Sequence, residues 1–477
     1  MSVSPRIGAL AVGVFAASCF HESQPNLECT SQDCPGDTTG TTDASTTATT
    51  TTGGSTGGSS SDSRGSSSTT HEPADSSSSS GGEPACGNQQ VEPSEDCDDG
   101  NDDPFDGCHQ CASSPTLAWQ FVHDYAQADD RAESIFRDGP GVLIGGMGEA
   151  VDGDDAIWLR LVDGEITPPS FYEVAALAGA NRVLDVTRSN DTCVIGGVVT
   201  PQVGTLQVAA NFIDCDMGGV QAPLAFTAPE AAGTEDALTA LAVAGNGDLI
   251  VGGQRLHDGV VVGWVQRHDP SGESVLQTWW LDEPGLFGES SRVQALALTD
   301  DGGIRAAGTL VMDPQQHGFV ATLTDVGVEA LSVLGAPDES TEGTDVVISD
   351  QVLVLAGWRI DGGGGRDAIV QSWPIAGGDP ITWVLAGPED DRAHGVALTS
   401  TGVAVTGSTT TMQGAQDLFV VWLDDQLEEI GRAVLDGPAH GADEGRDLIA
   451  IDDDVIVAGA ITGNRGRDML VQRWSPP

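Results

Sequence analysis

The chain has 477 residues, room for two or three domains, and its 19 basic residues are all arginine against 72 Asp and Glu, a formal net charge of −53. With no lysine it carries neither a Walker A loop nor Schiff-base chemistry nor a kinase lysine, and so acidic a chain repels nucleic acid. Gly (63) and Pro (24) are abundant, yet 39% of residues are hydrophobic, enough for a real core in part of the chain.

Residues 1–18 read as an export signal. Arg6 is followed by 12 uncharged, apolar residues, Ile7 to Ser18 (IGALAVGVFAAS). Spanning a bilayer as a helix takes about 20 such residues, so the run fits the core of a signal peptide instead. It ends Ala16-Ala17-Ser18-Cys19, which resembles the bacterial lipobox. The resemblance implies a lipidated Cys19 as the first mature residue and, with Phe20 next, an outer-membrane or cell-surface destination. The alternative is cleavage after Ser18 and simple secretion. Eight cysteines remain, Cys29, Cys34, Cys86, Cys97, Cys108, Cys111, Cys193 and Cys215, an even set suited to disulfides in an oxidising compartment.

A lipid-anchored segment (19–36) leads into a stalk. From 37 to 82 no apolar side chain exceeds Ala, and Thr, Ser and Gly dominate. Such a chain buries too little surface to offset its ordering entropy and is expected to stay disordered, spanning on the order of 35–40 Å. Gly53 to Gly57 matches G-x-S-x-G, but a polar linker lacks the strand-to-helix turn a nucleophile elbow needs.

The segment 83–115 is a small cysteine-rich module. Cys86 opens CGNQQVEP, Cys97 opens CDDGN, and Asp106 to Cys111 closes as DGC-x-x-C. These residues resemble a short cysteine-rich repeat of surface proteins from myxobacteria and related organisms. Four cysteines allow three pairings, and spacing does not choose among them. Asp96, Asp98, Asn101 and Asp106 crowd one loop and are candidate calcium ligands. Against that stands an acidic turn held by disulfides, since Gly and Glu are out of place for an EF-hand. No other cofactor is expected.

From 116 to 477 a unit of about 50 residues recurs seven times. Its anchor is a β-rich run ending in Gly145, Gly196, Gly252, Gly308, Gly357, Gly407 and Gly459, at spacings of 51, 56, 56, 49, 50 and 52. Each unit holds four apolar runs of strand length separated by turn signals, and none has a helical period. The period predicts an all-β fold, a seven-bladed β-propeller with four-stranded blades. The sixth copy (Trp383 to Gly387, Asp391, then GVALTSTG from Gly395 to Gly402) resembles the SBBP-type propeller repeats of exported bacterial proteins. That family implies a scaffold and little about activity. Short links between the later strands make them hairpin neighbours, while the first link is longer and acidic. A blade is therefore the last three strands of one copy plus the first of the next. By that count, 117–123 is left over and pairs with 468–474. Cys193 and Cys215, at the ends of neighbouring strands, are a candidate cross-strand disulfide.

Candidate chemistry is sparse. The nine histidines form no H-E-x-x-H; closure could gather His123, His394 and His440 on one face, though loop histidines are usually solvated. Asp155, Asp367, Asp417 and Asp468 recur before the last strand of four copies, either capping turns or offering a ring of carboxylates to cations. Trp358 and Arg359, beside the Gly-rich loop 361–367, are candidate ligand-binding residues, with a buried anchor as the plainer role. These features point to a non-enzymatic, surface-anchored monomer. It is held at the membrane by its lipid and displays a propeller to an extracellular glycan or protein, with no nucleic acid involved. A polysaccharide hydrolase or lyase is the alternative, requiring converging carboxylates at the channel mouth, and a passive envelope spacer is the third.

Overall fold

The computed structural model describes residues 97, 106–109, 112–124, 129–150, 153–167, 181–189, 192–199, 207–214, 236–282, 287–312, 315–360, 362–387, 389–410 and 414–477. The export signal, Cys19, Cys29, Cys34, the stalk, Cys86 and Cys111 lie outside them. Among the described residues no helix is long and apolar enough to cross a membrane.

Alternating apolar residues and Asp-Gly turns build antiparallel sheets throughout. Asp163-Gly164 and Asp258-Gly259 have φ of 51° and 79°, and 51° and 84°. Positive φ at both central residues is the twist-matched hairpin turn these dipeptides favour. Seven sheets result, joined in sequence order. We number them by their innermost strands: Asp130–Asp138 (blade 1), Asn181–Ser189 (2), Ala237–Val243 (3), Ser290–Leu298 (4), Thr341–Ile348 (5), Asp391–Leu398 (6) and Glu444–Ile451 (7).

Six of these sheets carry the four strands of a propeller blade; blade 2 has three among the described residues. Among the described residues the expected seven four-stranded blades are therefore six. Seven buried apolar clusters accompany them, one at each junction. A sheet is apolar on both faces only if both are covered, and a ring of blades covers every face. The tryptophans serve this purpose: Trp158, Trp422 and Trp474 are at most 1% exposed.

The ring closes as the leftover strand required. Ala112–His123 runs antiparallel to the last strand, Arg467–Ser475, with Leu117 opposite Trp474 and His123 opposite Met469. The first strand of the repeat region thus completes blade 7, removing two free edges at once. Asp106–His109 adds a fifth strand to this sheet through Ala112–His123. Cys97 is disulfide-bonded to Cys108.

Every innermost strand carries a β-bulge at the same place. The residues left unpaired between ladder partners are Glu133, Leu184, Thr239, Gln294, Thr344, His394 and Arg446. The ladder residue just before each bulge faces a glycine of the second strand: Gly146, Gly197, Gly253, Gly308, Gly357, Gly407 and Gly459. A Cβ on any of these glycines would overlap a carbonyl oxygen of the innermost strand, for example that of Arg392 at Gly407. The equivalent glycine in the first three copies is therefore the second of each Gly-Gly pair, and the repeat is one residue out of register there with the anchor read from sequence.

Candidate functional site

The seven bulges place one set of side chains around the axis of the ring, where they line a cavity of roughly 470 Å³. A bulge re-aims a side chain that simple alternation would send elsewhere. The cavity draws residues from all seven innermost strands, including Glu133, Asp185, Thr239, Gln294, Asp345, His394, Arg446 and Asp447.

Its walls are stitched by three aspartates. Asp185, Asp345 and Asp447 each follow the bulged residue and bridge two blades. Asp345 accepts the backbone N–H of Val346 in its own strand and that of Val396 in blade 6, both at 2.8 Å. Asp447 accepts Leu448 N–H at 2.7 Å and Ile135 N–H of blade 1 at 2.9 Å, spanning the closure of the ring. Asp185 accepts Val186 N–H at 2.7 Å and the N–H of Leu241 in blade 3. Two bulge threonines make the complementary link, Thr239 Oγ1 donating to Val293 O at 2.6 Å and Thr344 Oγ1 to Ala393 O at 2.9 Å. Burial pushes Asp185 up to about 7, its N–H partners and Ser134 pulling the other way. Asp345 is raised by burial, and Asp447 by burial and then by Asp345. All three side chains are half-buried and face the cavity, so water there tempers the size of the effect without changing its direction.

Above the aspartates lies a belt of opposite character. Two residues before each bulged position stand Arg131, Arg182, Arg292, Glu342, Arg392 and Glu444, with Ala237 in blade 3. Arg446 reaches Glu444 at 2.8 Å and Glu133 at 3.9 Å; Arg467 reaches Glu444 at 3.3 Å, and Arg131 pairs with Glu133. Burial favours a neutral Glu444, but Arg446 and then His394, Arg467 and Arg131 outweigh it and hold the carboxyl at about 2. Burial would lower Arg446, and Glu444 and Glu133 raise it instead. His394 is pushed down to about 3, by burial first and then by the Arg446 charge, so it is a neutral imidazole at physiological pH. A chain of net charge −53 thus holds five of its arginines, 131, 182, 292, 392 and 446, at or two residues before these bulges, and Arg131, Arg182, Arg392 and Arg446 lie close enough to their charged neighbours there to interact electrostatically. In chemical terms that belt can receive anions by charge-assisted, forked hydrogen bonds.

The residues singled out from sequence fall elsewhere. Trp358 does not stand in a loop but inside the strand Val352–Ile360, where it is 8% exposed and Arg366 lies 4.9 Å over its ring. Its pairing with Ala368, inside a ladder that runs to Ile360 at the edge of the expected loop, holds it in the sheet as a buried anchor. Arg359 is held by Glu339 at 3.0 Å and Asp367 at 3.2 Å. Of the calcium candidates, Asp96, Asp98 and Asn101 lie outside the described residues; Asp106 opens the strand Asp106–His109, its side chain not among those described. Cys193 is disulfide-bonded, and Cys215 is outside the described residues. His394 lines the cavity while His440 pairs with Asp436 on the blade 6–7 loop, and neither joins a metal-competent set among the described residues. The bridging aspartates went unread, although a signal existed: each stands 12 residues before its blade's crowded glycine.

Residues 75–112 match the family described as "Domain of unknown function (DUF4215)". No curated protein matches the chain. Among solved structures it is similar to an ulvan lyase of a polysaccharide lyase family (11% identity, 74% of this chain and 95% of that one, TM-score 0.47). It is also similar to the polysaccharide lyase Uly1 (11%, 72% and 89%, 0.45). A third is puromycin hydrolase (17%, TM-score 0.44), where 69% of this chain matches only 50% of the other.

Proposed function

We propose that the protein is an exported lipoprotein, anchored through Cys19, that displays its propeller as a non-catalytic binding module for an anionic extracellular glycan. The observation that carries this reading is the arginine belt at the channel opening. Against a background of −53, five arginines there stand with three glutamates, Glu133, Glu342 and Glu444, and with Asp390, which pairs with Arg392 at 3.4 Å. Guanidinium groups beside a cleft with low-dielectric walls draw ligands of negative charge. Carboxylate or sulfate groups on a polysaccharide suit guanidinium forks, and the cavity beneath admits a chain end. The non-catalytic part rests on the bridging aspartates, whose oxygens already hold backbone N–H groups of two blades.

The test is binding of the lipid-free chain to an array of neutral and acidic glycans. Acidic hits weakened by Arg182→Gln with Arg392→Gln, and by added salt, are expected. Hits confined to neutral sugars, or unaffected by the pair, would refute the belt as the site; capture of proteins alone would refute the glycan. Anchoring is checked by fatty-acid labelling that Cys19→Ser abolishes.

One observation favours a hydrolase or lyase instead: three carboxylates with raised pKa, a neutral His394 and Arg446 share one cavity. New reducing ends or unsaturated products from any array hit, lost in Asp345→Asn, would establish that reading over the first.

A further inference from the structure

The repeat places a carboxylate second in the third strand of blades 5, 6 and 7, as Asp367, Asp417 and Asp468. Their surroundings differ. Asp367 receives Arg359 Nε at 3.2 Å from the residue facing it across the ladder. Asp468 is half-buried and reaches water. Asp417 is 5% exposed, and Thr409 faces it where blade 5 has the arginine. The Thr409 hydroxyl donates to Asp391 at 2.6 Å instead. Asp417 Oδ1 is consequently buried with no hydrogen-bond partner.

The Asp417 carboxylate meets two more carboxylates. Asp443, fully buried at the start of blade 7, and Asp436, exposed on the loop before it, each bring an oxygen so that all three lie within 4.8 Å of one another. Asp443 is fixed in place by the backbone N–H groups of Gly437 and Thr462, and each of its oxygens keeps a second lone pair. His440 is exposed and already bonded to Asp436 at 2.5 Å. Blade 5 answers the same geometry with a guanidinium; blade 6 supplies no cation of its own. Buried carboxylates this close are held together either by a shared proton or by a cation.

We propose that Asp417, Asp436 and Asp443 bind a hard divalent cation, calcium, at the blade 6–7 junction, with water filling the remaining positions. All three donors are carboxylate oxygens, the set such ions select, and one donor on a surface loop suits the weaker sites of extracellular modules.

The test uses the whole chain, stripped with chelator, then titrated with calcium chloride by calorimetry and melted with and without about 1 mM of it, a level that fills extracellular-type sites. Calcium raises the melting temperature of the parent, and Asp417→Asn and Asp436→Asn weaken binding by roughly tenfold or more, as loss of a ligand does. Without calcium, Asp417→Asn melts no lower than the parent, because it removes an uncompensated charge; lost binding is then not lost folding. Asp96, Asp98, Asn101 and Asp106 stay intact in these variants, so calcium bound at the cysteine-rich module would survive in them. Equal calcium response in parent and Asp417→Asn overturns the proposal. So does a parent that takes up neither calcium, magnesium nor manganese. Zinc uptake alone, lost in His440→Ala, overturns the choice of ion.

Discussion

Replacing Glu444 by Gln tests whether the charge belt stabilises the closure of the ring. The side chain is 11% exposed, between Arg446 at 2.8 Å and Arg467 at 3.3 Å. Its carboxyl drops from an ordinary 4.5 to about 2 on folding. At about 1.36 kcal/mol per pH unit the difference corresponds to roughly 3 kcal/mol. His394 contributes nothing to this near neutrality, since it is uncharged there, so about 2–3 kcal/mol is the expected loss in the variant at pH 7. A folded pKa below the unfolded one gives stability that is complete above about pH 5 and disappears as the pH falls through the folded value. The gap between parent and Glu444→Gln should hold from pH 7 to 5, fall to about half by pH 3 and close near pH 2. Guanidinium unfolding followed by tryptophan fluorescence at pH 7 and pH 3 measures it. A gap below about 0.5 kcal/mol at pH 7, or an equal gap at both values, would refute the argument that these arginines hold Glu444 ionised.

Three further outcomes follow from the packing. Gly407→Ala forces a Cβ into the Arg392 carbonyl and should cost about 3–5 kcal/mol or prevent folding, whereas Gly245→Ala, with open space around it, stays within about 0.5; paired melting curves decide. Trp474→Ala empties a site that is 0% exposed and should lose about 3–5 kcal/mol in the same unfolding assay, a loss under 1 speaking against its place in the blade 6–7 cluster. Removing Ala112–His123 bares the edge of Arg467–Ser475, and the shortened chain should associate through it. Light scattering that finds only monomer would contradict the closure.

Much of the architecture was legible because a repeated unit repeats its constraints. Turn length separated hairpin neighbours from the step between blades, and simple counting then left 117–123 to pair with the final strand. The anchor glycine was one residue out in three copies for a physical reason. In GVLIGG, TCVIGG and DLIVGG both glycines satisfy a strand-end pattern, and only the bulge opposite decides which one lies under the carbonyl. A bulge has no composition of its own in these strands; it is a count of residues against a partner strand, visible only once the partner is known. Trp358 left two roles open for a related reason: the Gly-rich stretch after it suggested a nearby loop, whereas the ladder from Val352 to Ile360 includes Trp358 and buries it, as the plainer role of an anchor expects.

The candidate site was hidden by the same bulge. Glu133, His394 and Arg446 come from three different strands with nothing in common but the bulge at which each is left over, and it takes seven bulges at one level to bring such residues around a common axis. What distinguishes site from scaffold is then departure from the repeat. Asp185, Asp345 and Asp447 recur at one offset and do one job, tying blades 2, 5 and 7 to the blade that follows. At the belt, by contrast, the same position holds Arg in four blades, Glu in two and Ala in blade 3. Scaffold requirements alone would drive such a position toward one residue type, as they have driven the crowded glycine to be glycine in all seven copies. A position that varies in this way, and that collects arginine in a chain so short of it, is the one on which the proposed anion binding rests. Asp417 extends the logic to a neighbouring seam: blade 5 meets the same carboxylate with Arg359, blade 6 meets it with Thr409, and that departure is what leaves room for the proposed calcium ion.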